Sequence, residues 1–206
     1  MSLVRSTAPT AEPVSVEDFL LHSRIDATDE LTGINRYLTA AREWAETATG
    51  RQLMTATFDL YLDRWPQSEN AGEFGTTSYS IIRIPRPPLQ SVSFVKYVNT
   101  GGTLTTISSS NYTVDTYTEP GRVYPSYGNY WPAFRSQPNT IQIRFVAGYT
   151  SALLVPEGIK ELICLVAGEM FENREPTITG TIVSKFQDML DRFIWKDLVF
   201  DYAECY

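Results

Sequence analysis

Apolar and polar residues follow two different periods along this chain of 206 residues, and the period changes twice. Between residues 31 and 49 apolar side chains recur at three- and four-residue steps: Leu31, Ile34, Leu38, Ala41, Ala45 and Ala48, with Trp44 at the margin. This is the stripe of an amphipathic helix about five turns long, and Gly50 ends it. A shorter helix is predicted ahead of it, because Ser15-Val-Glu-Asp sets a hydroxyl before acidic first-turn residues and the helical pattern runs to about Ser23. The helical period returns behind Pro156, a good first-turn residue, at Ile159, Leu162, Ile163, Val166, Met170 and Phe171. Past a turn containing Pro176 and Gly180, a last helix is predicted over Ile182, Phe186, Met189, Leu190 and Phe193.

The middle of the chain reads differently. From Leu53 to Tyr149 it is rich in Thr, Val, Ile, Tyr and Phe and is punctuated by Pro and Gly, the texture of short β-strands. Strands are predicted at Thr55–Leu62, Ser80–Ile84, Val92–Val98, Thr103–Ile107, Tyr112–Asp115, Arg122–Tyr124 and Thr140–Phe145. In the first, Phe58, Leu60 and Leu62 share a face opposite Asp59, Tyr61 and Asp63. Gly101-Gly102 predicts a two-residue hairpin turn, and Glu119-Pro-Gly-Arg122 a type II turn with Pro and Gly at its centre. Pro85-Arg-Pro-Pro88 reads as a stiff connection, residues 67–78 as an exposed loop, and residues 1–13 as extended chain.

Helices, then strands, then helices predict an α+β fold. The N- and C-terminal helices (14–50 and 156–194) pair as a helical bundle and carry a large antiparallel β-rich insertion (51–150), all within one structural unit of 1–206 that ends in a tail, 195–206. Neither helical set could bury its stripe alone.

Composition narrows the function. The net charge is −7 and the basic residues are scattered, so binding nucleic acid by charge neutralisation is disfavoured, whereas passage of DNA without adhesion is compatible. The apolar runs are far short of a membrane span and the first residues lack a signal-peptide core, which predicts a soluble protein made in a cytoplasm, with no membrane partner. Cys164 and Cys205 have neither metal-ligand spacing nor a disulfide framework. Aromatic residues make up 13% of the chain, which suits both a β-rich fold and extensive interfaces.

A search for chemistry predicts no catalytic, cofactor or metal site. The one histidine, His22, has no sequence-local partner for general base work. No nucleophile elbow or phosphate-binding glycine loop occurs. The carboxylate pairs Asp59 with Asp63, Glu172 with Glu175 and Asp188 with Asp191 each read as a solvated face, although a hydrolase built on distant carboxylates stays open. Two aromatic stretches stand out. Tyr124, Tyr127, Tyr130, Trp131 and Phe134 form either a loop folded over the strands or a contact surface for a neighbouring subunit or tail component. Trp195, Leu198, Val199, Phe200, Tyr202 and Tyr206 are too apolar for a tail left in water, so they either dock on a partner or fold back on their own subunit.

Several phrases taken in order resemble the head–tail connector (adaptor, or head-completion) family of long-tailed double-stranded DNA bacteriophages and prophages. They are EPVS at Glu12, HSRIDATDE at His22, ETATGRQL at Glu46, IPRPPLQSV at Ile84, YTVD at Tyr112, EPGR at Glu119, IRFVAGY at Ile143, and Val155-Pro156 opening a helix that ends FENRE at Phe171. The resemblance covers the chain up to about Val183. It implies a virion structural protein of the neck and no enzyme. It implies a homo-oligomeric, dodecameric ring beneath the portal protein that extends the DNA channel and offers a docking platform to a tail-terminator or stopper protein. The aromatic tail then becomes the expected portal interface. A rival reading is a β-rich carbohydrate- or protein-binding module that uses Trp131 and its tyrosine neighbours as a stacking platform.

Overall fold

The computed structural model describes residues 1–24, 31–66 and 80–172. The chain forms two compact units. Among the described residues, one combines Met1–Ala8 with Thr55–Gly148 and holds the strands; the other combines Pro9–Met54 with residues 149–172 and holds the helices.

The strand unit is organised by β8 (Ile141–Ala147), whose sequence IQIRFVA alternates buried and half-buried positions without a break. Such alternation marks a strand with one face on a core. β8 lies between β2 (Ala56–Leu62) and β4 (Leu89–Val98) in an antiparallel five-stranded sheet of order β1-β2-β8-β4-β5, with β1 at Ser2–Thr7 and β5 at Leu104–Ile107. A second antiparallel sheet has the order β3-β7-β6, formed by Ile82–Ile84, Gly121–Pro125 and Tyr112–Asp115. Residues of both sheets share one core: Phe58, Leu60, Ile141, Ile143 and Phe145 from the larger, Ile82, Ile84 and Val123 from the smaller. Phe58 and Phe145 are cross-strand partners whose rings stack at 5.5 Å.

All seven predicted strands form, with ends shifted by at most three residues. Three local expectations are corrected. The extended N-terminus contains an eighth strand: β1 pairs with β2 from Ser2↔Tyr61 to Thr7↔Thr57. Its SLVRST sequence lacks clear alternation because, as an edge strand, it buries almost nothing. The hairpin between β4 and β5 is a three-residue loop, closed by Asn99 N donating to Thr103 O, with Gly102 at φ 87°. Glycine in that left-handed position is the bulge that this loop length requires. Gly121 lies inside β7 and its φ is not left-handed, so no type II turn forms at Glu119–Arg122. It is needed for space, since a Cβ there would come within 2.5 Å of Leu89 Cδ2.

The helical unit contains α1 (Val16–Ser23), α2 (Leu31–Thr49) and α3 (Glu157–Glu172). Ser15 caps α1 by accepting from Asp18 N, and Gly50 follows α2 at φ 68°. The predicted stripes meet: Ile34, Leu38, Ala41 and Ala45 of α2 lie in one buried cluster with Ile159, Leu162, Ile163 and Val166 of α3 and Phe19 of α1. The predicted helix over Ile182–Phe193 lies outside the described residues.

A largely buried ionic network ties the C-terminal half of α2 to Glu12 and to the turn that follows the helix. Arg42 Nε donates to Glu12 Oε2 at 2.7 Å and Arg42 Nη1 to Glu46 Oε2 at 2.9 Å. Glu46 Oε1 accepts from Gln52 Nε2 at 2.6 Å and from Leu53 N at 3.2 Å, so the turn after α2 hangs on this carboxylate. Burial works against the charge of Arg42, but Glu46 and Glu12 together raise its pKa above the ordinary value. Two of the phrases that carry the family resemblance, EPVS and ETATGRQL, supply Glu12, Glu46, Gln52 and Leu53.

Candidate interaction surfaces

The aromatic stretch after β7 divides residue by residue between core and solvent. Trp131 stacks on Trp65 with centroids 4.5 Å apart and planes 7° apart, and Phe134 meets Trp65 edge-on. The indoles are held at their polar ends as well: Trp131 Nε1 donates to Ser80 O at 2.8 Å, and Trp65 Nε1 to Pro132 O at 2.9 Å. Trp131 and Phe134 therefore fold over the strand core, and Tyr124 is half-buried in β7. Tyr127 and Tyr130 do the opposite, at 99% and 90% exposed. Tyr127 sits at the tip of a turn in which Asn129 N donates to Ser126 O and Gly128 adopts φ 79°. The backbone is pinned on both sides, by Ser126 N to Asn111 O and Arg135 N to Val98 O. Large amphipathic rings on a fixed backbone are suited to protein contact, because little conformational freedom remains to be lost.

Sequence reasoning passed over other exposed apolar groups. Tyr117 is fully exposed in the β6–β7 connection, where Asp115 Oδ1 accepts from its N–H. In the helical unit Leu153 is 87% exposed, and Leu154 and Leu21 are exposed as well. Ser151 caps a single 3-10 turn, Ala152–Leu154, that Pro156 follows closely. The sequence signal was that one turn has no inward position for two adjacent leucines.

Leu153 lies on the rim of a cleft of about 610 Å³, whose wall carries Asp18, His22, Glu157, Lys160 and Glu161. His22 Nδ1 is 3.6 Å from Glu161 Oε1, beyond hydrogen-bond length, and Lys160 is paired with Glu157 at 2.5 Å. Cys164 lines the same cleft, but burial, with Glu161 and Asp18 nearby, pushes its thiol up to about 11. It is a protonated thiol at neutral pH, so the cleft holds no activated sulfur nucleophile. Among the described residues no His, Cys, Asp and Glu side chains are grouped to hold a metal, and no helix is long and apolar enough to cross a membrane.

On the outer face of the larger sheet, Arg144 of β8 grips Asp59 of β2 with two hydrogen bonds of 2.8 Å. The Arg144 hydrogen bonds hold the Asp59 carboxyl below its usual range. Asp63, its partner in the sequence pair, accepts instead from Asn139 N at 2.8 Å. Trp195, Leu198, Val199, Phe200, Tyr202 and Tyr206 lie outside the described residues, as do Glu175, Asp188 and Asp191.

A two-sheet strand unit joined to a helical unit is an architecture already seen in virion necks. The fold matches a chain in the neck of an empty gene transfer agent (GTA) particle computed with sixfold symmetry, with a TM-score of 0.71 and 21% identity over 94% of this chain and 95% of that one. It matches a chain in the virion of a native GTA particle equally well, at 0.71, 20% identity and the same coverage. A chain in the neck of a native GTA particle computed with twelvefold symmetry follows at 0.69 and 21% identity, covering 94% of each chain. No protein-family model and no curated protein matches the sequence.

Proposed function

We propose that this chain is a structural protein of a phage-like virion neck: a head–tail adaptor that forms a dodecameric ring beneath the portal and continues the DNA channel toward the tail. The observation that carries the reading is agreement in fold along 94% of the chain with a neck chain of nearly the same extent. The ordered phrases in the sequence point the same way, and they are a separate line of support because identity to those neck chains is only about a fifth. The exposed tyrosines and leucines supply apolar contact area on both units for neighbouring subunits to cover. In this role the helices, including 156–194, form the bundle, no residue is catalytic and no cofactor is needed. The net charge of −7 keeps the ring from adhering to the DNA it conducts. The aromatic tail, Trp195 to Tyr206, docks on the portal, and a tail-terminator or stopper protein binds below.

The test is assembly onto particles. Full-length protein added to portal-bearing heads that lack it should appear as a ring below the portal by electron cryo-microscopy. Protein truncated after Phe193 should keep its melting temperature but leave the portal bare. Full-length protein that never joins such heads would refute the adaptor role.

A further inference from the structure

We infer that the ring is closed by a head-to-tail contact, in which the tyrosine loop of one copy enters the leucine-rimmed cleft of the next; this rests on the adaptor reading above. A closed ring of identical subunits needs two different patches on each chain that complement one another. Only a second copy is certain to be at hand in equal number, and both patches occur on this chain.

The donor patch is the segment 125–139 (PSYGNYWPAFRSQPN). Its composition of Tyr, Ser, Gly and Asn is that of protein-recognition loops, in which tyrosine provides area and the small polar residues provide adaptable hydrogen bonds. Its one charged side chain is the exposed Arg135, and it contains no carboxylate. The two tyrosines are not exposed through lack of order nearby. The stacked Trp65–Trp131 pair and four hydrogen bonds, two from the indoles and two from the Ser126 and Arg135 N–H groups, hold the loop that displays them.

The receptor patch is the cleft on the helical unit. Leu153 stands almost wholly in solvent at its rim, with Ala152 and Val14 in its lining. The wall is acidic: Asp18, Glu157 and Glu161 face a single Lys160, with His22 beside Glu161. A net negative cleft with an apolar side at Val14, Ala152 and Leu153 suits an aromatic loop that carries a positive charge and no negative one. Against other partners, the same pairing of charges explains how a chain of net charge −7 can self-associate. Setting Arg135 of the loop against the acidic wall favours this orientation over ones that bring carboxylates together.

Two variants and their mixture test this by sedimentation velocity. Tyr127→Ser/Tyr130→Ser removes the donor, and Leu153→Lys/Glu157→Lys reverses the receptor. All four side chains are exposed, so both variants should fold with cooperative melts: the tyrosine variant should match wild type, and the Leu153→Lys/Glu157→Lys variant should melt slightly lower because it loses the Glu157–Lys160 pair at the start of α3. Wild type should form a ring-sized species, alone at high concentration or after mixing with portal complexes, and added salt should weaken it. Each variant should remain monomeric. The equimolar mixture should yield a species of two chains and nothing larger, because only one productive loop–cleft pair remains. Variants that assemble like wild type, or a mixture that stays monomeric, would overturn the loop–cleft contact and leave the adaptor role standing. Wild type that never oligomerises in either setting would overturn the adaptor role itself.

Discussion

Replacing Arg144 with methionine isolates what the Asp59–Arg144 pair contributes to the larger sheet. The substitution keeps an unbranched stem near Phe94, over which Arg144 lies at 5.2 Å, but removes both 2.8 Å hydrogen bonds to a carboxylate that is only 6% exposed. Hydrogen bonds to charged groups contribute about 1.5–3 kcal/mol each, and breaking a fully buried ion pair costs about 3–5 kcal/mol. Here the Arg144 side chain is 38% exposed, and Gln142 and Lys96 still support Asp59. Solvent screening of the arginine brings the expected loss to about 1–2 kcal/mol, or roughly 2–8 °C in melting temperature for a chain of this size. The pH dependence gives the sharper check. Arg144 depresses the Asp59 pKa in the folded state. The pair's stabilisation is therefore fully present above the unfolded value of about 3.9 and is lost as pH falls through the lower folded value. Urea melts of both proteins should differ most at pH 5–7, begin to approach below about pH 3.9, and converge only below the lower folded value. A difference that stays constant down to pH 2.5, or no difference at neutral pH, would show that the pair does not hold β2 to β8 electrostatically.

Leu162 is fully buried in α3 among α1 and α2 residues, so Leu162→Ala should cost about 2–5 kcal/mol in chemical denaturation; a melt identical to wild type would remove α3 from the core. In a low-salt electrophoretic mobility assay the purified chain, at net charge −7, should leave duplex DNA unshifted. Tight, salt-sensitive retardation would refute a non-adhesive channel.

The residue pattern alone marked seven of the eight described strands and the three described helices. α2 and α3 were legible because their stripes repeat every three to four residues for several turns, and β8 because its alternation is unbroken. The ordered phrases from EPVS to FENRE carry the resemblance to head–tail connectors without reference to the fold. Tertiary structure decided everything that depends on a distant partner. β1 is a strand only because β2 offers it an edge, and its own side chains hardly favour it. Glu12 reaches Arg42 across 30 residues, a pairing no local rule predicts. The aromatic run divided in the same way. Trp131 turns inward because Trp65, 66 positions earlier, presents a ring to stack on, whereas Tyr127 and Tyr130 meet no such surface within their unit and stay in solvent. Periodicity reports the face a residue shows to its own element; what meets that face is set by the rest of the chain.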